Sequence, residues 1–368
     1  MVIKVQLLFG QIGIFERVKT MIILKKGNLL DDEAEALVNT VNCVGVMGKG
    51  IALQFKQAYP EMFSDYEKAC RRGEVRPGKM HVVETGMLLN PKYIINFPTK
   101  RHWKSRSRMK DIEIGLADLV DVVKTLQIRS IALPPLGCGN GGLRWEDVRP
   151  KIEEAFAPLE EVIVHLYEPV GSPRPEQMKI RTNRPKMTRA RALLLLLMND
   201  YSLPGYHLSL LEVQKLAYFL QEVGEPLRLR FEKGTYGPYA DNVNHVLLRM
   251  NGHFLTGVGD RSGRAEIRVL PHAIKEAEAF LNGDQEAKDH LERVRVIIRG
   301  FETPYGLELL ATVHWVVKEN PNGKDDVGAI VDAIGRWNER KRRLFSRDHI
   351  VKAWEHLRRT NAWSKSGS

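Results

Sequence analysis

Pro134-Pro-Leu-Gly-Cys-Gly-Asn-Gly-Gly-Leu143 is the stretch on which the fold turns. The apolar run Ser130–Leu133 precedes it and reads as a short buried strand; Trp145–Phe156 follows with helical spacing. Four glycines and one asparagine fall between residues 137 and 142, at a strand-to-helix turn. Residues without a Cβ let bare backbone N–H groups close in on a diphosphate. Glycine loops also make ordinary turns, so the stretch gains meaning only from its neighbours.

A second turn of the same kind lies upstream. Residues 36–41 form a strand-like run, Asn42-Cys-Val-Gly-Val-Met-Gly-Lys-Gly-Ile51 follows, and residues 52–59 are helical in pattern. Two such turns suggest a ligand gripped from two sides. Neither matches G-x-G-x-x-G or G-x-x-x-x-G-K-[ST]: Lys49 sits within Gly-Lys-Gly, but no Ser or Thr follows to hold magnesium, which argues against an NTPase.

Around these turns, residues 21–168 alternate strand and helix. Strands are predicted at 22–25, 36–41, 80–84, 93–97, 130–133 and 162–167, and helices at 51–59, 62–71, 110–127 and 145–156. Ile112, Leu116, Leu119, Val120, Val123 and Leu126 give the third helix one apolar stripe. The alternation implies a layered α/β fold with ligands at the carboxyl ends of the strands. Residues 171–189 are rich in Pro and Arg and read as a basic linker. Helical pattern dominates afterwards. Ser209 and Glu212 form a capping box, and Leu210, Val213, Ala217 and Leu220 mark one face behind it. Short strands are expected at 227–231 and 268–270, and helices at 287–299, 307–318, 327–337 and 348–360. The expected organisation is an extension at 1–20, an α/β domain at 21–170, the linker at 171–189, and a second, mostly α-helical (α+β) domain at 190–368.

The 368 residues suffice for two cores. The apolar run 193–197 is far too short for a membrane span. Residues 1–20 contain Gln6, Gln11 and Glu16 and lack a small-residue cleavage site, which argues against a signal peptide. A cytoplasmic protein with no membrane contact is expected. Cys43, Cys70 and Cys138 form no Cys-x-x-Cys pair, so neither a zinc site nor a disulfide framework is indicated. Cys43 and Cys138, each inside a glycine loop, read as small packing residues rather than nucleophiles. His81, His102 and His165 are scattered; no metal and no cofactor are expected.

The net charge of +11 is unevenly placed. Residues 21–168 carry 21 Lys+Arg against 20 Asp+Glu, and residues 171–191 carry seven against one. Residues 192–335 carry 15 against 20, and residues 336–360 carry nine against three. The second domain is therefore acidic with a basic tail helix.

The first domain resembles the macrodomain family, which binds ADP-ribose. The carrying residues are Gly27-Asn-Leu29, Val38-Asn-Thr-Val-Asn42, Met47-Gly-Lys-Gly-Ile-Ala52, Leu136-Gly-Cys-Gly139 and Trp145-Glu-Asp-Val148. Within that family, Asn96-Phe-Pro-Thr-Lys-Arg-His-Trp103 is similar to the DarG antitoxins, which remove the ADP-ribose that DarT toxins attach to thymine in single-stranded DNA. The resemblance implies a three-layer α/β/α fold with a mixed sheet and a catalytic role for Lys100. It implies ADP-ribose contacts as well. Asn28 and Leu29 would lie by the adenine, Val44, Gly45, Met47 and Gly48 by the distal ribose and pyrophosphate, and Asn39, Asn42, Leu136 and Leu143 are implied as further ADP-ribose contacts. Gly137, Cys138, Gly139, Asn140, Gly141 and Gly142 would cradle the phosphates. Related lysine-dependent glutamate-ADP-ribose hydrolases place an aspartate in the phosphate loop; the corresponding position here is Gly141.

Cleaving a base–ribose bond builds positive charge at the anomeric carbon and negative charge on the leaving base. A positioned ammonium can stabilise or protonate that base, and a neutral amine can instead attack the sugar. The sequence leaves both open for Lys100. Lys100 also begins a run of six basics in eleven residues without an acid, with Trp103 interleaved. Arg101, His102, Trp103, Lys104 and Arg106 fit a single-strand DNA groove, and the run fits equally a solvated loop before a helix.

In the second domain, Val213-Gln-Lys-Leu-Ala-Tyr-Phe219 and Thr235-Tyr-Gly-Pro-Tyr-Ala240 resemble Panacea-type antitoxin domains. The implied partner is a DarT toxin, whose basic DNA cleft an acidic domain would occupy. The alternatives are a reader that binds ADP-ribose without cleaving it, and an ADP-ribose 1″-phosphate phosphatase.

Overall fold

The computed structural model describes residues 21–169, 171, 173–174, 177–202, 205–259, 265–320 and 325–363, so the expected extension at 1–20 lies outside the described residues. The chain divides into two compact units, Met1–Gly171 and Ser172–Ser368.

Among the described residues, the first unit is built on six strands: β1 (Met21–Lys25), β2 (Ala36–Asn42), β3 (His81–Glu84), β4 (Tyr93–Lys100), β5 (Ser130–Leu133) and β6 (Ile163–Tyr167). Their spatial order is β1-β6-β5-β2-β4-β3, parallel except for β3 against β4, which makes the sheet mixed. Side chains alternate across it. Leu37, Val41 and Ile94 join Phe55, Met62 and Tyr66 of α1 (Gly50–Ala58) and α2 (Pro60–Arg71) in one buried cluster. Ala36, Val38, Ile95 and Phe97 join the second cluster, under α3 (Met109–Thr125) and α4 (Trp145–Phe156). The predicted stripe of α3 buries Ile112, Leu116, Leu119, Val120 and Val123, with Leu126 packed at its edge. Helices on both faces of the sheet are the three-layer α/β/α architecture.

The second unit is mostly helical: α5 (Arg189–Tyr201), α6 (Leu210–Glu222), α7 (Asp241–Met250), α8 (Pro271–Phe280), α9 (Gln285–Ile298), α10 (Pro304–Glu319), α11 (Val327–Trp337), α12 (Glu339–Leu344) and α13 (Arg347–Arg359). Two short ladders, β7 (Glu232–Gly234) with β8 (Gly237–Tyr239) and β9 (Leu255–Thr256) with β10 (Arg268–Val269), complete it. The capping box of Ser209 and Glu212 is present and starts α6.

Two expectations need correction. Residues 227–231 form no strand, because the Gln221 side chain satisfies that backbone: its Nε2 donates to Leu229 O at 3.1 Å and its Oε1 accepts from Leu229 N at 2.7 Å. The basic stretch 171–189 is not free linker throughout. Met178 is buried, Arg184 pairs with Glu276 at 2.5 Å, and its guanidinium stacks 4.8 Å over Phe254, so charges that read as solvated hold the segment on the second unit.

Candidate active site

The site grows from three adjacent strands. In the order β5-β2-β4 all are parallel, so their carboxyl ends deliver residues 134–144, residues 43–49 and Lys100 to one edge of the sheet. The β2–β4 register runs Val41↔Pro98 and then Asn42↔Lys100, skipping Thr99. Such a bulge re-aims the side chains beyond it. It also carries β4 three residues past the predicted end at Phe97. Cys43 then ties the first loop to this strand, its N–H donating to Arg101 O at 3.4 Å and its Sγ to Lys100 O at 3.2 Å.

The glycine loop after β5 folds back on itself. Cys138 N donates to Pro135 O (3.1 Å), Gly142 N to Gly139 O (3.2 Å) and Leu143 N to Gly137 O (3.1 Å). Among the described residues, the N–H groups of Gly139, Asn140 and Gly141 donate to no protein acceptor. Three successive free N–H groups in a tight loop form an anion-binding concavity. The loop after β2 is shaped by Asn42, whose Oδ1 accepts from Val44 N (3.0 Å) and Val46 N (3.4 Å) while its Nδ2 donates to Val46 O (2.5 Å). The two loops meet at Gly50, in the left-handed region at φ 58°, where an added Cβ would stand 3.1 Å from Asn140 Nδ2.

Lys100 spans this junction. Its Nζ donates to the backbone oxygen of Asn140. Burial holds its ammonium below the ordinary lysine value of 10.5. Gly141 departs from the aspartate pattern noted above, and a Cβ there would lie 2.1 Å from Gly137 O and 2.4 Å from Ser107 Oγ. No side chain fits, and the loop offers Lys100 no carboxylate at that position. Ser107 is a residue that the sequence did not flag. Its N–H donates to Gly141 O at 3.0 Å and its buried Oγ has no partner among the described residues. Nothing local distinguishes it from the other serines of the basic run.

The expected ligand residues divide by exposure. Val44, Gly139, Asn140 and Gly142 are open to solvent, and Gly45, Gly48, Cys138 and Leu143 are half-buried. Leu29, Met47, Leu136, Gly137 and Gly141 are buried behind them. Asn39 and Asn42, expected as ligand contacts, point their amides into the protein. Asn39 Nδ2 donates to Asn96 Oδ1 at 2.8 Å, leaving its own Oδ1 unpartnered, and Asn42 is spent on the loop. Asn28 caps the 3₁₀ turn Leu29–Asp31 at the end of β1, with its Oδ1 accepting from Leu30 N at 3.2 Å. Burial raises the Cys43 and Cys138 thiols to about 11, which leaves them protonated packing groups at neutral pH.

Beside the 3₁₀ turn, Asp32 joins the ends of β1 and β6. It accepts from Lys25 Nζ (2.9 Å) and Tyr167 OH (2.8 Å) and contacts His165 Nδ1 (2.7 Å). Burial alone would raise this carboxyl, but bonds from Lys25, His165, Tyr167 and Ala34 N outweigh it and hold the group at about 2 against an ordinary 3.8. A depressed folded-state value means stability that is complete above the unfolded value and lost as pH falls through the folded one. Asp32→Asn is therefore expected to lower unfolding free energy by about 2 kcal/mol at pH 7 and by little near pH 2. Urea denaturation at the two pH values checks this; equal losses at both would remove the ionic account.

Of the expected DNA-contact residues, Arg101 is committed elsewhere, forming a two-pronged pair with Asp111 at 2.5 and 3.0 Å. Trp103 remains 50% exposed, with His102 stacked on it at 5.4 Å and Lys104 Nζ 4.9 Å over its ring. Arg106 is exposed. An exposed ring beside cations has the elements from which base-stacking surfaces are built.

Residues 38–152 match the Macro domain family model. A Thermus aquaticus protein named DNA ADP-ribosyl glycohydrolase is 48% identical over 342 residues, covering 93% of this chain and 94% of that protein. A Mycobacterium tuberculosis protein of the same name is 44% identical over 353 residues, 92% of this chain and 99% of its own. The chain belongs to the DNA ADP-ribosyl glycohydrolase family. The macrodomain of Mycobacterium tuberculosis DarG, a solved structure, is 60% identical and covers 41% of this chain and 99% of that one, at a TM-score of 0.41. A Thermosipho africanus protein named as a DNA ADP-ribosyl transferase–glycohydrolase fusion is 35% identical over 168 residues, 42% of this chain and 43% of that protein.

Proposed function

We propose that this chain removes ADP-ribose from thymine bases of single-stranded DNA, reversing DNA ADP-ribosylation, and that its helical unit binds and neutralises a DarT-type ADP-ribosyltransferase. One observation carries the catalytic half. The Lys100 amine stands where the two glycine loops meet, next to free N–H groups suited to a diphosphate. In this reading the loops hold the pyrophosphate and Trp103 stacks a neighbouring base. The bond between the anomeric carbon and the base nitrogen breaks, its electron pair leaving with the base. The Lys100 ammonium stabilises or protonates that base, and water adds to the sugar to give ADP-ribose and unmodified thymine. With Gly141 unable to carry an acid, no second carboxylate is assigned at that position.

A second reading, a reader that binds without cleaving, draws on the same absence of an acid at Gly141. Incubating an ADP-ribosylated single-stranded oligonucleotide with wild type and with Lys100→Ala separates them. Release by wild type alone supports the enzyme. Binding without release by both supports the reader, and phosphate release from ADP-ribose 1″-phosphate alone supports the phosphatase.

The antitoxin half draws support from the two motifs of the second unit, which lie together. Gln214 brackets Ala240, donating to its oxygen at 2.9 Å and accepting from its N–H at 3.0 Å, and Lys215 Nζ donates to Pro238 O at 2.6 Å. Full-length Lys100→Ala is expected to co-purify with the toxin and block it as wild type does. Loss of neutralisation in that variant would leave hydrolysis as the whole of the protection.

A further inference from the structure

We propose that the second unit carries its own binding patch for single-stranded DNA, formed where the β7–β8 turn meets the α11–α12 junction. The inference does not depend on the glycohydrolase reading. The turn is fixed from behind. Besides the Lys215 bond to Pro238 O, Trp337 Nε1 donates to Gly234 O at 2.9 Å and Asn338 Nδ2 to Thr235 O at 3.1 Å. A turn held by its own backbone oxygens presents its tip at low entropic cost on binding.

That tip is Tyr236, 51% exposed, with the Arg340 guanidinium 4.6 Å over its ring. Arg340 is itself anchored by Glu308 at 2.5 and 3.1 Å, so the stacked pair is braced from below. Next along α12, a cavity of about 340 Å3 opens between α11, α12 and α13. Its walls are Val331, Ile334, Phe345 and Ile350, and its cations include Arg336 and Arg342, against Asp332 as the one lining acid. Both arginines are exposed and neither has an acidic partner among the described residues. By contrast Arg340 and Lys341 share Glu308, and Arg343 pairs with Glu339.

These features match one class of ligand. Unpaired arginines gain most from phosphates, whose condensed counterions are released on binding. An exposed ring with a cation on one side offers its other side to a base. An acidic polypeptide would satisfy the arginines but would leave the exposed Tyr236 face without a role. The charge division agrees: residues 336–360 carry nine basics against three acids, in a unit whose preceding part is net acidic.

Fluorescence anisotropy of a labelled, unmodified oligothymidylate with the full chain tests the patch. Arg336→Ser/Arg342→Ser is expected to weaken binding about tenfold or more at low salt and to make the slope of log K against log salt shallower by about 1.4. Tyr236→Leu is expected to weaken binding about fivefold or more with the salt slope unchanged. Wild-type affinity and slope in both variants would overturn the proposal. So would displacement of the oligonucleotide by polyglutamate at equal charge together with no effect of Tyr236→Leu, which would assign the patch to an acidic protein. If the double variant melts early, Arg342→Gln alone, on an exposed helix face, reads the same slope, expected to change by about 0.7. ADP-ribose release at saturating modified oligonucleotide, followed in parallel, is expected to be unchanged in the patch variants and lost in Lys100→Ala, so the two readings fail separately.

Discussion

Lys100→Ala is expected to lower kcat/KM on an ADP-ribosylated single-stranded oligonucleotide by about 10²- to 10⁴-fold, the range for removing a positioned proton donor. The loss should fall on kcat. The substitution deletes one bond to the Asn140 carbonyl and leaves the N–H groups of residues 139–141 in place, so affinity for free ADP-ribose, read by calorimetry, should change little. The pH dependence then distinguishes the two roles of the amine. Burial holds the Lys100 value below 10.5, and an active ammonium loses activity as pH rises through that lowered value. An attacking neutral amine gives the opposite limb, with activity rising over the same interval. A Lys100→Ala enzyme with wild-type kcat would remove this residue from the chemistry altogether.

Gly141→Ala is expected to have the opposite signature, a loss of binding. The new Cβ would meet Gly137 O at 2.1 Å and Ser107 Oγ at 2.4 Å, and the first of these is backbone that cannot rotate away. The loop must move, and with it the free N–H groups that would hold the diphosphate. Calorimetry with ADP-ribose is expected to show affinity falling about 100-fold or more, since several charge-assisted hydrogen bonds at roughly 1.5–3 kcal/mol each are misaligned together. Gly141→Asp should be no better, although it restores the acid of lysine-dependent relatives, because the obstruction lies at the Cβ. Wild-type affinity in Gly141→Ala would mean that the loop tolerates rearrangement and that its geometry is not what grips the ligand.

The two loops of the candidate site were legible because they are local. Residues 134–143 and 42–51 show their glycines in order, and a strand followed by glycines followed by a helix needs no long-range information. The capping box at Ser209 was readable for the same reason. Misreadings occurred where distant residues compete for a backbone or a charge. Residues 227–231 look like a strand until Gln221 takes their hydrogen bonds. Arg101 reads as one more cation of a basic run, and only the fold pairs it with Asp111. The bonds that Asn39 makes to Asn96 and Asn42 to the loop at Val46 likewise lie beyond what local sequence shows.

By itself the sequence determined which chemical groups this protein possesses: two glycine turns, one lysine beside a tryptophan, an acidic helical half with a basic end. Composition and short-range spacing suffice for that, since they depend only on neighbouring residues. Only the tertiary structure decided that these groups meet. The parallel order β5-β2-β4 brings three carboxyl ends together from positions up to some ninety residues apart, a bulge at Thr99 re-aims Lys100, and Ser107 with Gly137 closes the space at Gly141. Strand order, register and steric exclusion are relations between remote segments, set by how the whole sheet buries its two faces, and no local stretch of sequence contains them.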